Sequence, residues 1–503
     1  MTIQHSYDLV ILGGGAAAFA AITEADRRGR TTALVNTALP LGGTCVNVGC
    51  VPSKHLLAMA ETAFQTAHSP FDAVEYGVDE PSVDWTAALD EKDRLVRQLR
   101  QENYVDVARH FETDVYEGYG QFVDDTTIEV IDSDDDVTRV VGENALIATG
   151  SSPWAAPIDG IDGIDYETSE TILERRELPE SVVVIGGGYV ALEWGQILHR
   201  VGVDVTILQR SERLLSGMEG QLGWEIQRCF RDEGIDVVTG NNFERVRTVA
   251  PASGTATAED GIVVETRLDG EKRQFSAEEL FVATGVQPNS EGIGLERVGV
   301  DTDERGAVVV DEHLQTTNPD IYGAGDVIGT PELETVAAKE GNHAVKNAFG
   351  SADRSPTGRS IGQAPREEHE GHTIDYTAVP TVVFTSPEVA SVGTTELEYM
   401  DEHGTCTCQT VQMEDETKAR AVNDTRGLLQ VVKHHETDDI VGVHMVGTRA
   451  ADMIPEATLA VKFGLTVDDI IDTIHPFPTF SEAFKHACQA FRRDTSVLSC
   501  CIE

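Results

Sequence analysis

Short, uninterrupted apolar runs that end on glycine clusters set the pattern of this chain. Tyr7-Asp8-Leu9-Val10-Ile11-Leu12 runs into Gly13-Gly14-Gly15-Ala16-Ala17-Ala18; an alanine-rich helix follows to about Arg28, and then comes a strand, Thr32-Ala33-Leu34-Val35, ending at Asn36. Strand, glycine turn, helix and strand in that order make a βαβ unit. The same order returns later: Ser181-Val182-Val183-Val184-Ile185, then Gly186-Gly187-Gly188-Tyr189-Val190-Ala191, a helix, and Asp204-Val205-Thr206-Ile207-Leu208. Ala148-Thr149-Gly150 and Ala283-Thr284-Gly285 each close a further apolar strand, and Asp320-Ile321-Tyr322-Gly323-Ala324-Gly325-Asp326 predicts a strand ending in Gly-Asp. From about Ser351 to Gly371 the chain is polar and aperiodic, as a linker or long loop is. Beyond it, Pro380–Phe384 and Leu428–Val432 predict strands, and Ala450–Phe463 predicts an amphipathic helix.

The predicted fold class is α/β, with two Rossmann-like dinucleotide-binding domains and a C-terminal α+β domain. The expected division is 1–157 and 287–350 for a split first domain, 158–286 for the second, 351–372 for the linker and 373–503 for the last. At 503 residues the chain exceeds a single core, and two to four domains are expected from length alone. No apolar run approaches the roughly 20 residues of a membrane span, and no basic leader precedes Val10 and Ile11, so a cytoplasmic protein is expected.

Charge narrows the partners. With 86 acidic against 38 basic residues and a net charge of -48, the chain repels nucleic acid and anionic lipid, and neither is expected as a partner. The acid is spread along the chain, with clusters such as Asp132-Ser133-Asp134-Asp135-Asp136, which suits a halophile whose concentrated salt screens like charges. The eight cysteines form no secreted framework, so a paired thiol motif reads as chemistry or metal binding.

Both glycine turns fit G-x-G-x-x-A, through Gly13, Gly15 and Ala18 and through Gly186, Gly188 and Ala191. Glycines there let the backbone approach a pyrophosphate at a helix N-terminus, and two such turns in full βαβ context imply two nucleotides. Directly after the first unit stands Gly42-Gly43-Thr44-Cys45-Val46-Asn47-Val48-Gly49-Cys50-Val51-Pro52-Ser53-Lys54, whose C-x4-C pair sits beside whatever the first nucleotide carries. A helix dipole and a nearby lysine both favour the nucleophilic thiolate, and a disulfide there accepts two electrons and passes them on by exchange.

In these motifs, taken in order along nearly the whole chain, the sequence resembles the flavoprotein disulfide reductases. The resemblance implies FAD in the first fold, NAD(P)H in the second and a homodimer formed by the last domain. It implies Cys50 as the charge-transfer thiol beside the flavin, Cys45 as the interchange thiol, and Lys54 near the flavin and paired with Glu193. It implies Asp326 on FAD, with Ala17, Thr44, Gly120 and Thr149 also among the FAD contacts. Asn36 stands where an acid usually binds the adenosine ribose; its amide still accepts and donates hydrogen bonds. In the second fold the strand continues Gln209-Arg210-Ser211-Glu212-Arg213, with no acid for a ribose 2′-hydroxyl and two arginines for a 2′-phosphate, so NADPH is favoured.

The substrate turns on the C-terminal segment. Members that handle dithiols carry His-x-His-Pro-Thr-x-x-Glu, whose second histidine shuttles protons; here the segment is His475-Pro476-Phe477-Pro478-Thr479-Phe480-Ser481-Glu482, with Phe477 at the place of the base. His475 reads as a structural histidine. The chain ends in Cys500-Cys501, a vicinal dithiol suited to a soft metal ion. Together these resemble the mercuric reductase branch, which implies that Cys500 and Cys501 of one subunit pass Hg(II), arriving as a thiol complex, to Cys45 and Cys50 of the other. Tyr189 matches an active-site tyrosine of that branch. The expected reaction is NADPH-dependent reduction of Hg(II) to Hg(0). The alternatives are a dihydrolipoamide dehydrogenase-like disulfide reductase and a soft-metal-binding flavoprotein without turnover. Cys229 and Cys488 read as packing residues, and Cys406-x-Cys408 as a weaker candidate metal pair.

Overall fold

The computed structural model describes residues 3–71, 73–74, 83–249, 261–329, 331–350, 371–405 and 407–494. It divides into two compact units, each assembled from three stretches of chain: Met1–Pro52, Asp90–Pro153 and Val286–Asp375 in the first, Ser53–Leu89, Trp154–Gly285 and Tyr376–Glu503 in the second. Most of the expected linker, Cys406 and the tail pair Cys500 and Cys501 lie outside the described residues.

The main sheet of the first unit has strands in the order Asp114–Glu117, Thr32–Asn36, Ile3–Leu12, Val137–Ile147, Thr127–Ile131 and Tyr119–Asp124; Ile321–Gly323 also pairs with Val137–Ile147, and Ser151–Pro153 pairs with Val286–Pro288 in a two-stranded sheet. Ile3–Leu12 lies parallel to both its neighbours, while Tyr119–Ile147 forms an antiparallel meander. Leu9 and Ile11 pack with Ala18, Ile22 and Tyr322 on one face, and Val10 and Leu12 pack with Phe122 and Ile128 on the other. Burial on both faces is the reason this strand reads as a continuous apolar run rather than an alternating one. The strand starts at Ile3, not at Tyr7, and its extension pairs His5 and Ser6 with Val140 and Val141. That extension carries little apolar signal, because His5 and Ser6 stay exposed. The helix Ala16–Arg27 crosses Glu334–Phe349 so closely that a Cβ at Gly341 would lie 2.0 Å from the Ala17 carbonyl oxygen.

Among the described residues the second unit holds three sheets. A parallel one runs Asp236–Val238, Asp204–Leu208, Ser181–Ile185, Glu279–Val282, with the last three and the helix Tyr189–Arg200 bearing the expected second nucleotide fold. An antiparallel meander, Asn242–Val249, Gly261–Leu268 and Glu271–Ala277, adjoins it in sequence. The third is a five-stranded antiparallel sheet in the order Thr381–Val383, Glu388–Gly393, Ile440–Gly447, Leu428–Lys433, Cys408–Gln412. The helices Ala450–Phe463 and Glu482–Ala490 cover it through Met453, Ile454, Ala457, Phe484 and Ala487. Among the described residues no helix is long and apolar enough to cross a membrane.

Candidate active site

The first glycine turn is shaped for close backbone approach. Gly13 has φ +117°, and a Cβ there would lie 2.1 Å from the Ala148 carbonyl oxygen, so only glycine fits. The helix that follows has Gly15 as its N-cap, no capping side chain and no acid in its first turn, which leaves its N-terminal field available to an anion. Ala17 and Ala18 are buried against neighbouring elements and serve the turn by being small. Asn36 donates from Nδ2 to the Leu39 carbonyl at 2.8 Å, while its Oδ1 faces Gly14. Thr149 and Asn289 bond reciprocally, Oγ1 to the Asn289 carbonyl at 2.7 Å and Nδ2 to the Thr149 carbonyl at 3.0 Å. Burial pushes the Asp326 carboxyl up, and Ser151 Oγ, donating at 2.8 Å, opposes that shift. Gly120 fits between Leu12 and Val35, whose side chains a Cβ would meet at 2.7 Å. These features fit an FAD pyrophosphate and its flanking groups.

The cysteine segment is stitched onto this turn. Gly42 donates its amide to the Gly14 carbonyl at 2.8 Å, and at Gly43 a Cβ would come within 2.8 Å of Gly15 Cα. Cys45 lies in the short helix Gly43–Asn47, which also carries the exposed Thr44; Cys50 opens the helix Cys50–Ala67. Asn47 fastens the segment, donating to the carbonyls of Pro40 and Gly43 at 2.9 and 2.8 Å and accepting from Arg100 at 3.1 Å. The two cysteines are thiols rather than a disulfide, and their sulfurs lie with a Glu334 carboxylate oxygen all within 4.8 Å of one another. Cys45 Sγ donates to Glu334 Oε2, and Tyr104 donates to Glu334 Oε1 at 3.4 Å. The hydrogen bond to Cys50, then burial, then the Glu334 carboxylate push the Cys45 thiol far up. Sequence reasoning missed Glu334 and Tyr104. Tyr104 sits in the π-helical turn Gln101–Val105, a local widening common at functional sites that leaves no signature in residue periodicity.

In the second unit, Lys54 Nζ meets Glu193 Oε2 at 2.6 Å, with side-chain exposures of 31% and 4%, so this is no surface pair. The other Glu193 oxygen accepts the Phe384 amide at 3.0 Å, and the Phe384 ring lies 5.0 Å from Lys54 Nζ. Gly186 repeats the logic of Gly13, with φ +134° and the Ala283 carbonyl oxygen 2.2 Å from a would-be Cβ. Gly188, the N-cap of Tyr189–Arg200, has open space around it, and Ala191 is buried behind it. Tyr189 is 48% exposed at the start of that helix. Arg210 is exposed, whereas Arg213 donates to the Ser216 and Met218 carbonyls at 3.3 Å and keeps a buried Nε without a partner. This turn fits a nicotinamide nucleotide with Arg210 open to a phosphate.

The C-terminal segment carries Phe477, His475 and Glu482. Phe477 is 47% exposed, and Glu482 accepts the Thr479 amide at 3.1 Å instead of orienting a histidine. Both ring nitrogens of His475 face acceptors, Glu456 at 2.9 Å and the Thr473 carbonyl at 3.0 Å, and Glu456 holds its pKa up. Both nitrogens are thus already engaged within this surrounding. Cys229 and Cys488 are buried, and burial pushes the Cys229 thiol to about 12, as inert packing residues require.

Two models of one family match the chain, the pyridine nucleotide-disulphide oxidoreductases over residues 7–341 and their dimerisation domain over residues 379–488. The chain is 41% identical to a mercuric reductase of Streptomyces lividans over 496 residues, covering 98% of each protein. It is 36% identical to a mercuric reductase of Staphylococcus aureus, covering 98% of this chain and 84% of that protein. It is also 35% identical to the dihydrolipoyl dehydrogenase of Bacillus subtilis (strain 168), covering 96% and 98%. Among solved structures, the Cu(II) complex of the HOCl-induced flavoprotein disulfide reductase RclA from Escherichia coli superposes with a TM-score of 0.79 at 26% identity, covering 97% of this chain and 99% of that one.

Proposed function

We infer the substrate of a chain that belongs to the pyridine nucleotide-disulphide oxidoreductases and works as an enzyme with FAD and NADPH: it reduces Hg(II) to Hg(0). The net reaction, Hg(II) + NADPH → Hg(0) + NADP⁺ + H⁺, moves two electrons. The observation that carries this reading is the combination of a convergent thiol pair, Cys45 and Cys50, with an aromatic ring, Phe477, in place of the base that a dithiol substrate needs. The similarity to mercuric reductases over nearly the full chain supports it.

In this reading Gly13, Gly15, Asn36, Thr44, Thr149 and Asp326 hold FAD, with Ala17, Ala18 and Gly120 giving the close fit, and Gly186, Gly188, Ala191 and Arg210 hold NADPH, while Arg213 braces the loop through the Ser216 and Met218 carbonyls. Bound FAD supplies a two-electron relay between NADPH and the sulfur pair. Cys45 and Cys50 hold the metal by soft thiolate ligation. Lys54, fixed by Glu193 and Phe384, supplies positive charge, and Tyr189 stands at the mouth of the second glycine turn. Cys500 and Cys501 of one subunit of a homodimer pass Hg(II), brought as a thiol complex, to the other subunit. The acidic composition supports a halophile's enzyme, and the reading places it in the cytoplasm.

A second reading, dihydrolipoamide oxidation, has the Bacillus relative in its favour and Phe477 against it. The deciding measurement is NADPH oxidation by the FAD-loaded protein in high salt, with and without Hg(II) plus excess small thiol, beside Cys500→Ala/Cys501→Ala. Mercury-stimulated turnover with volatile Hg(0), reduced in the variant, is expected. Turnover of lipoamide with no mercury stimulation would move the chain to the dithiol enzymes.

A further inference from the structure

Glu334 opens the helix Glu334–Phe349, whose seat against Ala16–Arg27 is set by the contact of Gly341 with Ala17. Its carboxylate is held from both sides, by the Tyr104 hydroxyl on one oxygen and by the Cys45 thiol on the other. The acid at a helix N-terminus needs no special account, but its direction does: it points into the sulfur pair. Two sulfurs and one carboxylate oxygen within 4.8 Å of each other fall in the range a single ion can draw together, since donors around a four-coordinate zinc-like centre lie about 3.5–4 Å apart.

We propose that Glu334 is the third donor of the Cys45–Cys50 site, making it a thiolate–thiolate–carboxylate site that holds divalent ions of borderline hardness as well as Hg(II). The inference rests on the reading of Cys45 and Cys50 as metal donors. Thiolates select soft ions and carboxylates suit harder ones, so a mixed set widens the range toward ions such as Cd(II) and Zn(II). Tyr104 is its positioning residue: by bonding one carboxylate oxygen it leaves the other aimed at the sulfurs. Neither residue follows from the glycine turns or the cysteine motif, and both lie in the first unit with the pair they serve.

The test uses two-electron-reduced holoenzyme, prepared anaerobically and titrated with Cd(II) against a chromophoric chelator. Wild type is compared with Glu334→Gln, Glu334→Asp and Glu332→Gln. Each variant is first checked for its flavin absorption spectrum and for two titratable thiols. Removing the donor charge in Glu334→Gln is expected to weaken Cd(II) at least about tenfold, of the size seen when groups of a metal site are lost. Glu334→Asp, which keeps the charge on a shorter arm, is expected to weaken it less. Glu332→Gln, which removes a nearby charge outside the cluster, is expected to leave affinity within about twofold. Unchanged Cd(II) affinity in Glu334→Gln, or equal losses in Glu334→Gln and Glu332→Gln, would overturn the proposal. Because Cd(II) binding is read without turnover, failure of mercury reduction and failure of the third donor are separate outcomes.

Discussion

Replacing Glu193 with alanine tests whether Lys54 is held by a buried network or by an ordinary ion pair. The carboxylate is 3% exposed and serves two donors, Lys54 Nζ at 2.6 Å and the Phe384 amide at 3.0 Å. A hydrogen bond to a charged acceptor contributes about 1.5–3 kcal/mol, and a buried amide left without an acceptor costs about 1–3 kcal/mol. Phe384 is 41% exposed and the Lys54 side chain 31%, so water reaches the vacated space and the lower end applies. The expected loss at the Phe384 amide is about 1.5–2 kcal/mol, which corresponds to roughly 10–30-fold easier opening at about 1.4 kcal/mol per tenfold. Site-resolved amide hydrogen exchange reads this locally, which suits a chain of two units where a global unfolding midpoint is not two-state. Glu193→Gln keeps one acceptor oxygen and is expected to raise Phe384 exchange only about 3–5-fold, the difference between a charged and a neutral acceptor. The amide of Val431, inside the neighbouring sheet, is the internal control. Phe384 exchange within twofold of wild type in Glu193→Ala would refute the reasoning and return the pair to the ~0–1 kcal/mol of exposed ion pairs.

Gly13→Ala places a methyl group 2.1 Å from the Ala148 carbonyl oxygen at φ +117°, and the purified variant is expected to carry little flavin; a full flavin-to-protein ratio would contradict the turn geometry. Arg210→Ala removes a charged bond to the 2′-phosphate worth about 1.5–3 kcal/mol, so the KM for NADPH is expected to rise roughly 10–100-fold with the KM for NADH unchanged; equal effects on both would remove Arg210 from the phosphate site. His475 has its pKa raised by Glu456, so its contribution to stability is complete below the unfolded value of about 6.5 and fades as pH climbs through the folded value. The stability gap between wild type and His475→Gln, read from denaturant unfolding, is accordingly expected to be widest near pH 6 and to close under alkaline conditions; a gap that widens with pH would reverse the assignment.

Much of the nucleotide-binding architecture was legible because its signals are local. Ser181–Ile185 and Asp204–Leu208 read correctly to the residue, since a parallel strand buried on both faces is a continuous apolar run bounded by turn residues. Ala450–Phe463 did so because one face of it covers a sheet. The antiparallel meander Asn242–Ala277 was not read: Glu271–Ala277 is largely exposed and polar, and cross-strand pairing supplies what the residue pattern does not announce. Within the candidate site, the cysteines, Lys54 and the glycines could be found from spacing. Glu334 could not, because an acid in the first turn of a helix looks the same whether it faces water or a thiol 289 positions away. Arg213 shows the converse: the sequence offered two equivalent arginines, and the fold commits one of them to its own loop carbonyls.

The chemistry of the two ends of the chain can be weighed on proton demand. A disulfide substrate, when cut, releases a thiolate that must be protonated, and the reverse reaction needs the same proton removed, so a base at the C-terminal segment is indispensable to that cycle. Here Phe477 cannot hold a proton, and His475 has both nitrogens bound by Glu456 and Thr473. In the same segment Glu482 accepts the Thr479 amide. A metal ion makes a different demand: it binds the sulfurs as thiolates, releasing the protons they hold, and leaves as the reduced metal rather than as a thiol. The loss of the base and the gathering of two thiols with a carboxylate in the first unit are each compatible with other chemistries alone. Taken together they support the metal ion proposed as the substrate.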